Sequence, residues 1–366
     1  MKIGTMTFSG AHNYGSMLQT YALQAFVERL AKESGHPCDY QVLNYRPKLQ
    51  KSIYEKPRVT SAVSAAKRLM YVPYSKRLDR QSEKFEDFLR TELHTSREFS
   101  EESELQEMAA SCDVLLAGSD QIWNVRARDF SYAYLFENCT GKKVSYAASL
   151  GPLNIDWSRY DKDRYLAALQ QFDYISVREK KSKEMLAGIG LDDTSIHVDP
   201  TMLLNADAWR SIQSDMSVNG GQYILFYCLE PRSEHLRIAE LLSKKTGLPI
   251  VSTGYRGKAD YFNPFIKQYD AGPKDFLSLI DNAAIVLTSS FHGTVFSMIY
   301  EKPFFTIGGL QDGRIGNALR LTHAEDNDLA LDTTAIPRFP EPVAALDFIS
   351  SEAERSREYL KKALGI

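Results

Sequence analysis

The chain has 366 residues, 43% hydrophobic and 25% charged, a composition that excludes a disordered polymer and predicts more than one hydrophobic core. Its 44 Lys+Arg against 47 Asp+Glu give a formal charge of −3, so the basic surplus of a nucleic-acid binder is missing and no such partner is expected. Neither a charged lead with a long apolar run at the N-terminus nor a window of roughly 18 apolar residues is found, so neither a secretory signal nor a membrane span is expected. Cys38, Cys112, Cys139 and Cys228 are scattered without ligand spacing. That predicts buried thiols in a reducing cytoplasm, not disulfides or a zinc site.

In chain order, Lys2–Phe8 reads as a strand and Ser16–Leu30 as a helix, joined by turn residues, with Gln41–Tyr45 a second strand. The alternation continues through strands Val114–Ala117 and Lys143–Ala147, helix Arg164–Gln171, strand Tyr174–Val177, helix Glu179–Leu186 and strand Ser195–Val198. Asp199-Pro200-Thr201 marks a boundary, with Asp199 read as a cap or hinge, and the polar stretch Asn205–Gly221 follows. A second alternation then runs through strand Tyr223–Leu229, helix Glu234–Lys244, strand Ile250–Ser252 and helix Lys274–Asp281. Strand Ala284–Leu287, helix Thr294–Tyr300 and strand Phe304–Ile307 complete it, and Pro342–Leu364 reads as one amphipathic helix. Strands separated by helices predict parallel sheets, here in two Rossmann-like lobes facing a cleft. The domains expected are 1–204, 205–340 and a C-terminal helix within 341–366 packing back across the lobes.

Residues 46–100 read as a basic helical insertion. Between Arg46 and Arg80 stand ten Lys/Arg against two acids, interleaved with Tyr54, Tyr71 and Tyr74. Two readings stand side by side: a solvated helix with snorkelling side chains, or a patch docking on an anionic acceptor or the membrane surface.

Ligands of open α/β sheets collect at the carboxyl ends of the strands. The loop at the first helix offers Asn13, a capping residue type, and Gly15, which lets a ligand approach the backbone. Gly118-Ser119-Asp120-Gln121-Ile122-Trp123-Asn124 combines a carboxylate with an aromatic ring, a set suited to a sugar; the alternative is a capping Asp120 with Trp123 in the core. Arg178 ends a strand before Glu179 and can fork onto a carboxylate or phosphate, or form an ordinary Arg–Glu pair. In Ser289-Ser290-Phe291-His292-Gly293 a histidine beside two serines meets the N–H groups of the next helix, a general acid or base at an anion cradle. Arg314, in Gly313-Arg314-Ile315-Gly316-Asn317, is a further candidate anion contact.

Taken together these loops resemble the polysaccharide pyruvyl transferase family. The resemblance runs from Asn13-Tyr14-Gly15 and Leu18–Leu23 through Gly118–Asn124, Ser145–Ser149, Ser176–Glu179 and Val198–Thr201 to Ser290–Gly293 and Lys302-Pro303. It implies a GT-B-like pair of lobes and transfer of the enolpyruvyl unit of phosphoenolpyruvate to a sugar as a cyclic ketal. It implies that Arg178 binds the donor and that His292 is the catalytic histidine. The expected site is then His292 and Asp120 as proton donor and acceptor, with Arg178, Ser289, Ser290, Gly293, Asn13, Gly15, Trp123 and Arg314 binding substrates.

Phosphoenolpyruvate is thus the expected donor substrate, with no further cofactor and no metal. The acceptor is a sugar or lipid-linked oligosaccharide of a surface polysaccharide, met in the cytoplasm or at the inner membrane face through residues 46–80. Two other readings compete: a GT-B glycosyltransferase using a nucleotide-sugar donor, and a non-catalytic scaffold.

Overall fold

Val114–Ala117 is a short run of apolar residues in which Val114 and Leu116 enter one buried cluster and Leu115 and Ala117 another. A strand buried on both faces is the mark of a parallel sheet covered by helices on either side. The computed structural model builds the chain around two such sheets and describes residues 1–54, 72–254 and 263–366. Two compact units result. The first takes in residues 1–54, 89–204 and 350–366, and the second residues 72–88 and 205–349.

In the first unit, β1 (Lys2–Met6) leads into α1 (Tyr14–Glu33), followed by β2 (Asp39–Val42) and the short helix α2 (Lys48–Tyr54). Next come α3 (Ser75–Glu92), whose residues divide between the units, and α4 (Glu102–Ala109). β3 (Val114–Ala117), β4 (Lys142–Ser145), α5 (Lys162–Leu169), β5 (Ser176–Val177), α6 (Lys180–Ala187) and β6 (Ser195–Ile196) follow. The strand order β2-β1-β3-β4 is parallel throughout, and β5 pairs in parallel with β6. Bridges from Ala148 to Asp120 and to Val177 carry the pairing on past the strand ends.

The second unit starts with α7 (Ala206–Arg210) and β7 (Ile224–Tyr227), then α8 (Ser233–Thr246), β8 (Ile250–Thr253) and β9 (Ile266–Gln268). After α9 (Pro273–Asp281), β10 (Ile285–Thr288), α10 (Phe291–Ile299), β11 (Phe304–Ile307), α11 (Gly313–Leu321) and β12 (Asp328–Leu329), the chain closes with α12 (Leu346–Leu364). The sheet order is β12-β11-β10-β7-β8-β9, again parallel. Ile224, Phe226, Ile285, Leu287, Phe305 and Ile307 share one core with Ile238 and Leu242 of α8.

Two further segments complete the packing. α12 begins at Leu346, four residues after Pro342, and its Leu360, Ala363 and Leu364 join Ile3, Phe26 and Val144 in the first unit's core. In the basic insertion, several of the described cations have partners. Arg46 and Lys51 pair with Glu98, and Lys48 with Glu101. From α3, Lys84 binds Asp275 at 2.6 Å, Arg80 meets Asp270 at 3.4 Å, and Arg77 Nη1 donates to the Lys267 carbonyl at 2.9 Å. A Cβ on Gly272 would lie 2.5 Å from Lys84 Cβ, so the glycine is what admits the helix. Arg77, Arg80 and Lys84 hold the first part of α3 within the second unit. Tyr71, with residues 55–70, lies outside the described residues.

Candidate functional site

The first unit gathers three of the four polar loops. Asn13 caps α1, its Oδ1 accepting from Ser16 N at 3.3 Å, and Gly15 is buried in the first turn. Ser16 Oγ donates to Asp120 Oδ2 at 2.6 Å, which joins the start of α1 to the loop after β3. Asp120 holds a left-handed backbone, φ 77°, a conformation uncommon for a residue with a Cβ. The Gln121 amide donates to Asp120 Oδ1 at 2.8 Å, and Ser149 N donates to the Asp120 carbonyl at 2.9 Å. The carboxylate is therefore set by backbone and hydroxyl donors, and its surroundings position it firmly.

The neighbouring Ser119 Oγ donates to Asp199 Oδ2 at 3.2 Å, and Arg178 Nη1 donates to the same oxygen at 2.7 Å. Asp199 Oδ1 accepts from Thr201 N and Oγ1, so the capping role expected of it is present together with an ion pair. Arg178 Nε reaches Glu179 Oε2 at 3.4 Å, and Glu179 in turn accepts from Ser149 Oγ and Ser182 Oγ. Burial works against the Arg178 charge, but Asp199, Glu179 and Asp120 outweigh it and raise its pKa further. Arg178 is thus not a bare cation waiting for an anion. Asp199 and Glu179 hold the guanidinium, and the charge of Asp120 adds to theirs.

Trp123 is corrected outright. Its ring is fully buried, packs edge-to-face on Phe172 at 5.4 Å, and its Nε1 donates to the Tyr134 carbonyl at 3.1 Å. No face is left for a sugar; the core alternative holds.

In the second unit the sequence placed the helix start at Thr294, but α10 begins at Phe291, so His292 stands in a helical first turn. Ser290 is the cap: its Oγ accepts from Gly293 N at 3.4 Å and its carbonyl from Thr294 N at 3.0 Å. The two amides expected to cradle an anion are therefore already used within the helix. Gly293 is a packing residue as well, since a Cβ there would lie 2.4 Å from Thr288 Oγ1 and 3.1 Å from Tyr227 Cδ1. Thr288 Oγ1 cannot step aside, because it donates to the Tyr227 carbonyl at 2.6 Å and accepts from Ser290 N at 3.0 Å. His292 is largely buried with its ring 5.2 Å from that of Phe291, and half-buried Ser289 precedes the cap. The Arg314 guanidinium lies 5.9 Å from the Phe291 ring centre and is itself held by Asp312, Nη2 to Oδ2 at 2.9 Å. Burial opposes the Asp312 charge, but Arg314 and the amides of Arg314 and Ile315 hold its carboxyl below the usual range.

The sequence reading names Glu179 only as a pair partner of Arg178 and Asp199 only as a cap or hinge, while Ser16 and Thr288 escape it.

In fold, the chain is similar to UDP-GlcNAc 2-epimerases. That of Methanocaldococcus jannaschii gives a TM-score of 0.53 at 11% identity, covering 99% of this chain and 100% of the other. A Neisseria meningitidis enzyme solved with UDP-GlcNAc gives 0.51 at 10%, covering 100% and 99%. One from Rickettsia bellii gives 0.50 at 11%, covering 99% and 98%. No curated protein matches the chain in sequence. Its two parallel α/β sheets and these likenesses define a GT-B-type fold. The polysaccharide pyruvyl transferase model matches residues 13–309, and the chain belongs to that family. Among the described residues no helix is long and apolar enough to cross a membrane.

Proposed function

We propose that the chain transfers the enolpyruvyl group of phosphoenolpyruvate to a sugar of a surface polysaccharide or its precursor, closing a cyclic pyruvate ketal. The family match over residues 13–309 carries this reading. The chemistry asks for a proton at the methylene carbon of the donor, which makes C2 electrophilic. One sugar hydroxyl then adds to C2 and loses its proton, and a second displaces phosphate and loses its own.

His292 is the acid of this scheme, delivering the proton to the methylene carbon or assisting the departing phosphate. Ser289, Ser290 and Arg314 contact the donor's oxygens, with the positive end of α10 adding to them. Asp120, held by Ser16 and the Gln121 amide, accepts the proton of the attacking hydroxyl. The resemblance gives Arg178 a contact with the donor, which on this reading exchanges an oxygen of Asp199 or Glu179 for one of the donor's. No cofactor is needed besides the donor. The reaction runs in the cytoplasm, at the membrane face where the acceptor is lipid-linked, and co-sedimentation with anionic liposomes tests that location.

The test is incubation with phosphoenolpyruvate and a panel of lipid-linked or nitrophenyl glycosides, reading phosphate release together with the mass of the sugar product. Phosphate release without a pyruvylated sugar sinks the reading. The N. meningitidis neighbour solved with UDP-GlcNAc supports a second reading, glycosyl transfer from a nucleotide sugar. Thermal protection by a nucleoside diphosphate and none by phosphoenolpyruvate selects it.

A further inference from the structure

In the first unit the strand order reverses between β1 and β3, whose carboxyl ends pair through Met6 and Ala117. Open α/β sheets take their ligands at such a point, just past the ends of the two strands. Asp120 stands there half-buried, as do His12, Asn13 and Gln121, so this end of the sheet is open to solvent.

Behind Asp120 lies a buried polar layer that the scheme above leaves unused. Gln19 of α1 is fully buried, and its Nε2 donates to Thr7 Oγ1 at 2.8 Å and to the Ser16 carbonyl at 3.0 Å. Thr7 Oγ1 passes its own hydrogen to the Ser119 carbonyl at 2.8 Å. Ser16 Oγ donates to Asp120 Oδ2 and closes the circuit. A Cβ on Gly118 would lie 3.2 Å from Thr7 Cβ, so the glycine lets β3 draw up to the end of β1.

The Ser119 carbonyl belongs to the peptide before Asp120, and the Asp120 carbonyl, which accepts from Ser149 N, to the peptide after it. Both are therefore fixed, and a left-handed backbone such as that of Asp120 persists only where its surroundings over-determine it. A buried amide costs free energy unless its hydrogens are bonded, and those of Gln19 are spent on the two groups that set Asp120.

We propose that Gln19 is a positioning residue for the transfer reaction: through Thr7 and Ser16 it aims the Asp120 carboxylate at the attacking sugar hydroxyl. The role rests on the reading of Asp120 given above. As that hydroxyl adds to C2, its O–H bond breaks, the proton passes to Asp120 and the oxygen's electron pair forms the new C–O bond. Ser16 and Gln19 keep their protons throughout. A carboxylate displaced by about 1 Å loses on the order of 10²-fold in rate.

The experiment measures steady-state transfer from phosphoenolpyruvate to nitrophenyl glycosides by the full chain and its variants. Gln19→Met nearly keeps the volume, and the Ser16 carbonyl retains Thr20 Oγ1 as a donor at 2.7 Å, so the fold should survive. Its kcat should fall about tenfold or more, with both KM values unchanged. Ser16→Ala should do the same, and Ser16→Thr, which keeps a hydroxyl, should recover most of the loss. In an Asp120→Asn background neither Gln19→Met nor Ser16→Ala should cost more, because the group they position is gone. Should Gln19→Met fail to fold, Thr7→Val cuts the same circuit and takes its place. Should Asp120→Asn turn over too slowly to measure, recovery in Ser16→Thr decides. Wild-type kcat in Gln19→Met, a changed KM in place of kcat, or an equal loss in the Asp120→Asn background overturns the role. A wild type that pyruvylates no glycoside removes the transfer reading and this role with it, whereas an active wild type with unaffected variants removes the role alone.

Discussion

Arg178 and Asp199, 21 residues apart in the chain, meet at 2.7 Å with side chains 3% and 0% exposed, an ion pair closed to water. Around it Ser119, Glu179 and Thr201 complete a network that ties together the ends of β3, β5 and β6. The pair is a structural element.

Removing one partner leaves the other charged and buried. Arg178→Ala or Asp199→Ala should therefore lower stability by about 3–5 kcal/mol in urea unfolding, and the double variant should lose less than the sum. Additive losses would show that the two side chains do not interact. With Arg178→Lys, which keeps the charge but not the fork, the donor KM should rise; an unchanged KM moves the donor contact elsewhere.

His292→Ala should keep the fold and lose about 10²–10⁴-fold in kcat, the range of a positioned general acid. Near-ultraviolet circular dichroism establishes the fold, and wild-type turnover in such a protein would remove His292 from the mechanism.

Gly293→Ala sets a methyl group against Thr288 Oγ1, which two hydrogen bonds hold in place. The start of α10 must move away, so a loss of about 1–3 kcal/mol is expected, together with reduced turnover as His292 shifts. Thr288→Ala in the same background should restore part of the melting temperature. No restoration would place the clash elsewhere.

His197 is held neutral, its pKa pushed down to about 4 by burial first and by Arg355 second. It lies between Tyr146 and Tyr359, and Ser356 Oγ of α12 sits 3.4 Å from its Nδ1. Because the folded pKa lies below the unfolded one, the unfolded chain binds more protons between the two values. The contribution is full above about pH 6.5 and is lost as pH falls to about 4, amounting to at most about 3 kcal/mol. His197→Phe should flatten stability against pH across that window. An equally steep profile in the variant would refute the assignment.

The alternation of strands and helices and the polar loops at strand ends were legible in the sequence, because alternation and turn residues are local signals. So was the family. Helix starts were less so: Ser290 caps α10 three residues before the expected loop ends, which moves His292 from a loop into a helix.

The tertiary structure alone decided which partners each side chain meets. Trp123 has the composition of a sugar platform and the surroundings of a core residue, because Tyr134 and Phe172 close over it. The cations of α3 look free in the sequence, yet Asp270 and Asp275, some 190 positions later, receive them. Composition and spacing specify which groups a chain has. Burial and long-range pairing determine which of them keep a charge or an open hydrogen bond, and those terms depend on contacts between residues far apart in sequence.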